Sequence, residues 1–182
     1  MAELPAHAST RDTSLVTGGM QITPREQLAE HIHTLRAAGG VGTVVLANGC
    51  FDLLHAGHVR YLQDARSRGH FLIVALNSDC SVRAIKGPGR PVMPLVERAE
   101  IIAALRCVDA VTSFDEADLE MTLRVLRPDV HAKGSDYTTV SVPEASVDRE
   151  LGITIAICGD PKDHSTSELL RRIADESRIL PS

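Results

Sequence analysis

Tryptophan is absent, and two tyrosines and three phenylalanines make up the whole aromatic complement, so the chain lacks the rings on which nucleic-acid bases stack. Positive charge is also short: 19 Lys and Arg stand against 24 Asp and Glu, a formal net charge of −5. That balance argues against a partner held through a phosphate backbone, and no nucleic-acid partner is expected. No apolar run approaches the roughly 18 to 20 residues that cross a bilayer. The N-terminal stretch has no basic segment leading into an apolar one, so neither a membrane partner nor a signal peptide is expected. Cysteines are few and scattered: Cys50, Cys80, Cys107 and Cys158 form no C-x-x-C pair, which speaks against structural zinc, a dithiol redox centre or a disulfide framework. What is left, with 43% hydrophobic and 24% charged residues, is a globular protein of the cytoplasm that handles small molecules.

The order of apolar runs predicts the fold class. Residues 1–21 mix Ser, Thr, Gly, Pro and charge without periodicity and read as a flexible leader. From Thr23 as N-cap and Pro24 as first helical residue, Leu28, Ile32 and Leu35 recur at helical spacing until Gly39. The run TVVLA at 43–47 is apolar on successive positions, as in a strand covered on both faces. A helix follows at about 57–68 with Val59, Leu62 and Ala65 inward, then a strand at 71–76 and a glycine- and proline-rich loop at 86–91. Further helices are expected at about 94–105, 119–126 and 165–173, and further strands near 110–111, at 129–132 and at 153–158. Strands alternating with helices predict a single doubly wound, Rossmann-like α/β domain over residues 22–175, a parallel sheet with helices on both faces, followed by a tail at 176–182. Ligands of such sheets bind at the carboxyl ends of the strands. Polar clusters follow Ala47, Leu76, Ala132 and Cys158, all at those ends.

The segment NGCFDLLHAGH at 48–58 leaves the first strand and opens a helix with His55 and His58. A helix N-terminus offers unpaired N–H groups and positive potential to an anion, and Gly57 leaves room for a phosphate to approach the backbone. Two imidazoles three residues apart can address the same oxygens. Phosphoryl and nucleotidyl transfer require such placed donors more than covalent chemistry. Helix-capping or surface histidines are the plainer reading of the pair, and zinc a third, although nothing nearby completes a ligand set.

The ten residues GCFDLLHAGH at 49–58 resemble the H-x-G-H signature of the cytidylyltransferase-like nucleotidyltransferases. The resemblance runs from about 23 to 173. NSD at 77–79, KG at 86–87, RPV at 90–92, ER at 97–98, VD at 108–109, KGSDY at 133–137 and STS at 165–167 follow in the order of the heptose 1-phosphate adenylyltransferase domain of ADP-heptose synthase. One departure separates the chain from glycerol-phosphate cytidylyltransferases: residues 161–164 read PKDH where those enzymes carry Arg-x-x-Gly.

The resemblance implies an adenylyltransferase joining ATP to D-glycero-β-D-manno-heptose 1-phosphate, with Mg²⁺ bound mainly through the nucleotide phosphates and no metal ligands of its own. His55, His58 and Lys86 are its implied catalytic residues. Cys50, Phe51, Gly57, His58, Lys86, Arg98, Gly134, Ser165, Thr166 and Ser167 are implied around the nucleotide, and Asn48, Asp52, Arg90, Lys133, Asp136 and Tyr137 around the acceptor. Read from the residues alone, Lys86 is a solvated loop lysine, Arg98 an exposed helix residue, Asp79 a helix cap and 165–168 a capping box. The resemblance also implies a homodimer or higher homo-oligomer. The sugar kinase of fused relatives has no room in 182 residues, so a separate kinase is expected to supply the acceptor.

Overall fold

Val44, Val45, Leu46 and Ala47 are all fully buried, yet they serve two different cores. Val45 and Ala47 pack on one side of the sheet, Val44 and Leu46 on the other, because successive side chains of a strand point to opposite faces. The computed structural model describes residues 22–160 together with 170, 171 and 175. Its elements are α1 (Arg25–Ala37), β1 (Val44–Gly49), α2 (Ala56–Ser67), β2 (Phe71–Asn77), α3 (Asp79–Lys86), α4 (Leu95–Ala103), β3 (Ala110–Phe114), α5 (Glu120–Leu126), β4 (Val130–Gly134), α6 (Ala145–Leu151) and β5 (Thr154–Cys158). The five strands are parallel, in the order β3-β2-β1-β4-β5.

Helices cover both faces of this single-domain sheet. Tyr61, Leu62 and Ala65 of α2 and Ala99 and Ile102 of α4 close one core. Leu28 and Ile32 of α1, Leu123 and Leu126 of α5 and Val147 of α6 close the other. Each buried Leu or Ile contributes about 1.5–3 kcal/mol from the apolar area it removes from water. The doubly wound architecture expected from the apolar runs is therefore the one observed. The chain leaves central β1 toward β2 through α2 and returns to its other flank at β4 through α5, so the strand order reverses between β1 and β4. The carboxyl ends on either side of that reversal frame a crevice.

Several local expectations are corrected. Thr23 is not a cap: Pro24 is the N-cap of α1, without a side-chain cap bond, and the Thr23 N–H instead donates to Val111 O at 2.8 Å. Residues 79–86 form α3, so Lys86 is the last residue of a helix rather than part of a loop. Ser78 caps that helix by accepting from Ser81 N, and Asp79 is its first residue. The long polar connection after β4, for which no element was expected, contains α6. β3 extends to Phe114, longer than the two residues its apolar signal suggested.

Candidate active site

The chain leaves β1 through a turn that depends on two residues. Gly49 has no Cβ, and one built there would lie 3.0 Å from the Phe51 ring. Phe51 takes a left-handed backbone, φ 46, which returns its ring over Gly49 and against Tyr61, with centroids 6.3 Å apart. Phe51 is thus buried packing at the edge of the crevice. It also meets the His58 ring at 5.1 Å.

Helix α2 begins immediately after this turn. His55 is its N-cap in extended conformation, and its N–H donates to His58 Nδ1 at 3.4 Å. The two imidazoles stack with centroids 3.8 Å apart and planes at 23°. Accepting at Nδ1 places the proton of a neutral His58 on Nε2. The histidine pair therefore sits at a helix N-terminus, where N–H groups and imidazole donors converge.

Beneath the turn lie three residues that the resemblance places around ligands. Asp52 is buried; its Oδ1 accepts from the N–H groups of Val92 and Met93 at 2.7 and 3.1 Å, and Oδ2 lies 2.6 Å from Arg90 Nε. The pair fastens the segment before α4 to the exit of β1. Arg98, expected on a surface or facing phosphates, is 1% exposed. Its guanidinium donates to Cys50 O, Asn77 O, Met93 O and the Asp79 carboxylate. Arg98 thus holds the floor through four bonds and Arg90 through its ion pair with Asp52, and neither is among the residues lining the crevice.

The opposite wall comes from β4, β5 and α6. Carrying the β1–β4 register one residue past Ala47 and Ala132 sets Asn48 beside Lys133, and Lys133 Nζ donates to Asn48 Oδ1 at 3.2 Å. The same ammonium donates to Glu144 Oε2 at 3.0 Å and lies 5.1 Å over the Tyr137 ring. Burial alone would push the Glu144 carboxyl up, but the Lys133 ammonium outweighs it and holds the carboxyl below its ordinary value. Tyr61 donates its hydroxyl to Ala132 O at 2.8 Å, and burial pushes that phenol up. The Asp136 carboxylate folds over Gly134, where a Cβ would meet its Oδ1 at 2.7 Å.

These walls enclose a cleft of about 500 Å³ at the strand carboxyl ends, within the ~300–1,000 Å³ typical of small-molecule sites. It gathers Asn48, Cys50, Phe51, Asp52, His55, Gly57, His58, Lys86, Lys133, Gly134, Asp136 and Tyr137. Lys86, at the C-terminus of α3, is exposed at its rim. Ser165, Thr166 and Ser167, with the expected last helix, lie outside the described residues. Burial pushes the Cys50 thiol up and the Cys158 thiol up to about 11, so both remain protonated near neutral pH and are poor nucleophiles.

Cleft residues that the sequence did not single out include Ile85, Leu119, Glu144 and Gly159. Gly159 carries the clearest structural signature: its φ is 87, and a Cβ would lie 3.2 Å from Tyr61 Cα. A glycine directly after a buried strand is the signal that could have marked it.

Known proteins resemble this chain in sequence and in fold. The cytidylyltransferase-like family matches residues 46–172, from the middle of β1 to beyond β5, and the chain belongs to that family of nucleotidyltransferases. Among its relatives, the bifunctional protein HldE of Streptomyces coelicolor is 51% identical over 137 residues, 75% of this chain and 30% of that protein. The HldE of Syntrophotalea carbinolica is 43% identical over 155 residues, 85% of this chain and 31% of that protein. The chain thus spans about 30% of the length of these curated relatives. A crystal structure of the lipopolysaccharide core biosynthesis protein from Thermoplasma volcanium superposes with TM-score 0.55 at 29% identity, covering 63% of this chain and 93% of that one.

Proposed function

We propose that the protein adenylylates a sugar 1-phosphate, with D-glycero-β-D-manno-heptose 1-phosphate and ATP giving ADP-heptose and pyrophosphate, a precursor step for surface glycan. The observation that carries this reading is the stacked His55–His58 pair at the N-terminus of α2, in one cleft with Lys86 on one side and the Lys133 to Tyr137 turn on the other. Similarity to the HldE proteins favours the heptose substrate.

A phosphate oxygen of the sugar attacks the α-phosphorus of ATP in line. The new P–O bond forms as the bond from the α-phosphorus to the α,β-bridging oxygen breaks, and the electron pair leaves with pyrophosphate. His58 Nε2–H and the N–H groups of the first turn of α2 donate to the α-phosphate oxygens, where charge shifts in the transition state. Lys86, on a helix end at the rim, approaches the leaving phosphates as a flexible point charge. Arg90 and Arg98 hold the floor beneath the cleft, and Asp52, at its lining, fastens the floor through its bonds to Val92 and Met93 N–H. Among the described residues no group of three or more His, Cys, Asp or Glu is placed to hold a metal ion. Mg²⁺ brought with the nucleotide would supply charge neutralisation at the phosphates. Among the described residues no helix is long and apolar enough to cross a membrane.

The test incubates the protein and Mg²⁺ with ATP or CTP and a panel of sugar and alcohol phosphates, and measures pyrophosphate. The expected result is fastest release with ATP and heptose 1-phosphate. Release with CTP and glycerol 3-phosphate alone would replace the assignment by a cytidylyltransferase; no release with any pair would leave a nucleotide-binding protein without turnover.

A further inference from the structure

A lysine at the end of a strand in a phosphate-handling cleft would ordinarily be read as an anion ligand. Lys133 has a different environment. Its side chain is 6% exposed and that of Glu144 5%. The Glu144 carboxylate is held from both ends: Oε2 accepts from Lys133 Nζ at 3.0 Å, and Oε1 accepts from Leu119 N at 3.3 Å. It cannot turn away from the ammonium without leaving a buried N–H unpaired. Lys133 in turn gives a second N–H to Asn48 Oδ1. The cleft wall therefore presents a fixed, nearly neutral pair rather than a free positive charge.

That neutrality decides what the wall can take. A phosphate group drawn to Lys133 would also feel the Glu144 carboxylate, 3.0 Å from Nζ, and that repulsion offsets much of the attraction. A hydroxyl suffers no such cancellation, because it accepts from the ammonium and donates to the carboxylate or to Asn48 Oδ1. The Tyr137 ring under the ammonium adds a flat apolar surface of the kind that suits the C–H face of a sugar ring. We infer that the Lys133–Glu144 pair is the element that selects the uncharged, hydroxyl-bearing part of the acceptor and not its phosphate, with Glu144 as the residue that positions Lys133. The assignment rests on the proposed sugar-phosphate acceptor and narrows which residues choose it.

The two readings of Lys133 predict opposite signs. If Lys133 bound the phosphate, Glu144→Gln would unmask its charge and tighten sugar phosphates and methyl phosphate alike. If the pair binds hydroxyls, Glu144→Gln weakens heptose 1-phosphate and mannose 1-phosphate by about tenfold or more, because a buried donor is left mispaired. Methyl phosphate and ATP affinities stay within about twofold. We expect the second pattern in calorimetric titrations, with the sugar-phosphate KM rising while kcat holds and Glu144→Asp recovering part of the loss. Tightening of the phosphates, or unchanged sugar-phosphate binding, would overturn the assignment. Should Glu144→Gln fail to fold, Lys133→Met is titrated instead; loss of sugar phosphate without loss of methyl phosphate supports the pair, and equal loss of both overturns it. The titrations need no turnover. A wild-type protein that binds these sugar phosphates but releases no pyrophosphate refutes adenylyl transfer and leaves this assignment standing, whereas one that binds neither refutes it.

Discussion

Arg98 touches no ligand in the mechanism above, yet it joins more of the site than any catalytic residue. One guanidinium ties the exits of β1 and β2, the start of α3 and the segment before α4 through Cys50, Asn77, Asp79 and Met93. Replacing it by Met strands three carbonyls, Asn77 O buried and Cys50 O and Met93 O part-buried, and a buried acceptor left unsatisfied costs about 1–3 kcal/mol. Urea unfolding of Arg98→Met is expected to show a loss of that size, and Arg98→Lys to recover little, since an ammonium cannot span the same fork. A loss below about 1 kcal/mol would contradict this account. His58 makes the contrasting case. His58→Ala should lower kcat by about 10² to 10³ through loss of a transition-state donor while the melting temperature stays close to that of the wild type. A near-normal kcat would remove His58 from the chemistry. The histidines were legible in the sequence because their spacing and the strand before them imply a function. Arg98 was not, because an arginine that serves main-chain carbonyls leaves no periodic trace and resembles a surface residue.

Between elements, the β5 exit lies close against α2. Gly159 N donates to Asp64 Oδ2 at 2.8 Å, and its missing side chain lets the strand end lie against the Tyr61 backbone. Gly159→Ala adds a methyl group where the neighbour is main chain, at a φ of 87, a conformation costing a non-glycine residue about 1–3 kcal/mol. Thermal unfolding should register a drop of that order, and an unchanged melting temperature would argue against the close approach. β1 and β2 were readable because burial on both faces makes each a nearly unbroken apolar run. The two missed helices are short and bury polar residues. α3 buries Ser81 and Val82 and leaves Ile85 57% exposed. α6 buries Val147 beside Asp148, whose carboxylate meets His131 at 2.9 Å. A charged residue facing inward to a partner on a strand breaks the apolar period from which helices are recognised. Glu144 escaped notice for the same reason, its partner being on β4.

For the molecule as a whole, the lowered carboxyls set the acid limit. Glu144 is held below its ordinary 4.5 against the pull of its own burial by Lys133, and Glu116 by its hydrogen bond from Arg25. A carboxyl lowered by folding contributes its full stability above the ordinary value and loses it as pH falls through the lowered one. Stability attributable to these groups should therefore be constant near neutral pH and decline below about 4.5, with a shallower decline in Glu144→Gln. Urea midpoints across that range check the sign. A wild-type protein and variant with the same acid slope would deny Glu144 its share.

The central position of β1 has a consequence in time. β1, α2 and β2 adjoin along the chain and can pair early, but Asn48 meets Lys133 across 85 residues, so the second wall waits for β4 to be threaded onto the free flank of β1. Contacts so distant in sequence close late. After dilution from denaturant, helical signal should return before sugar-phosphate affinity does, and a chain stopped short of β4 would hold its histidine pair beside half a cleft.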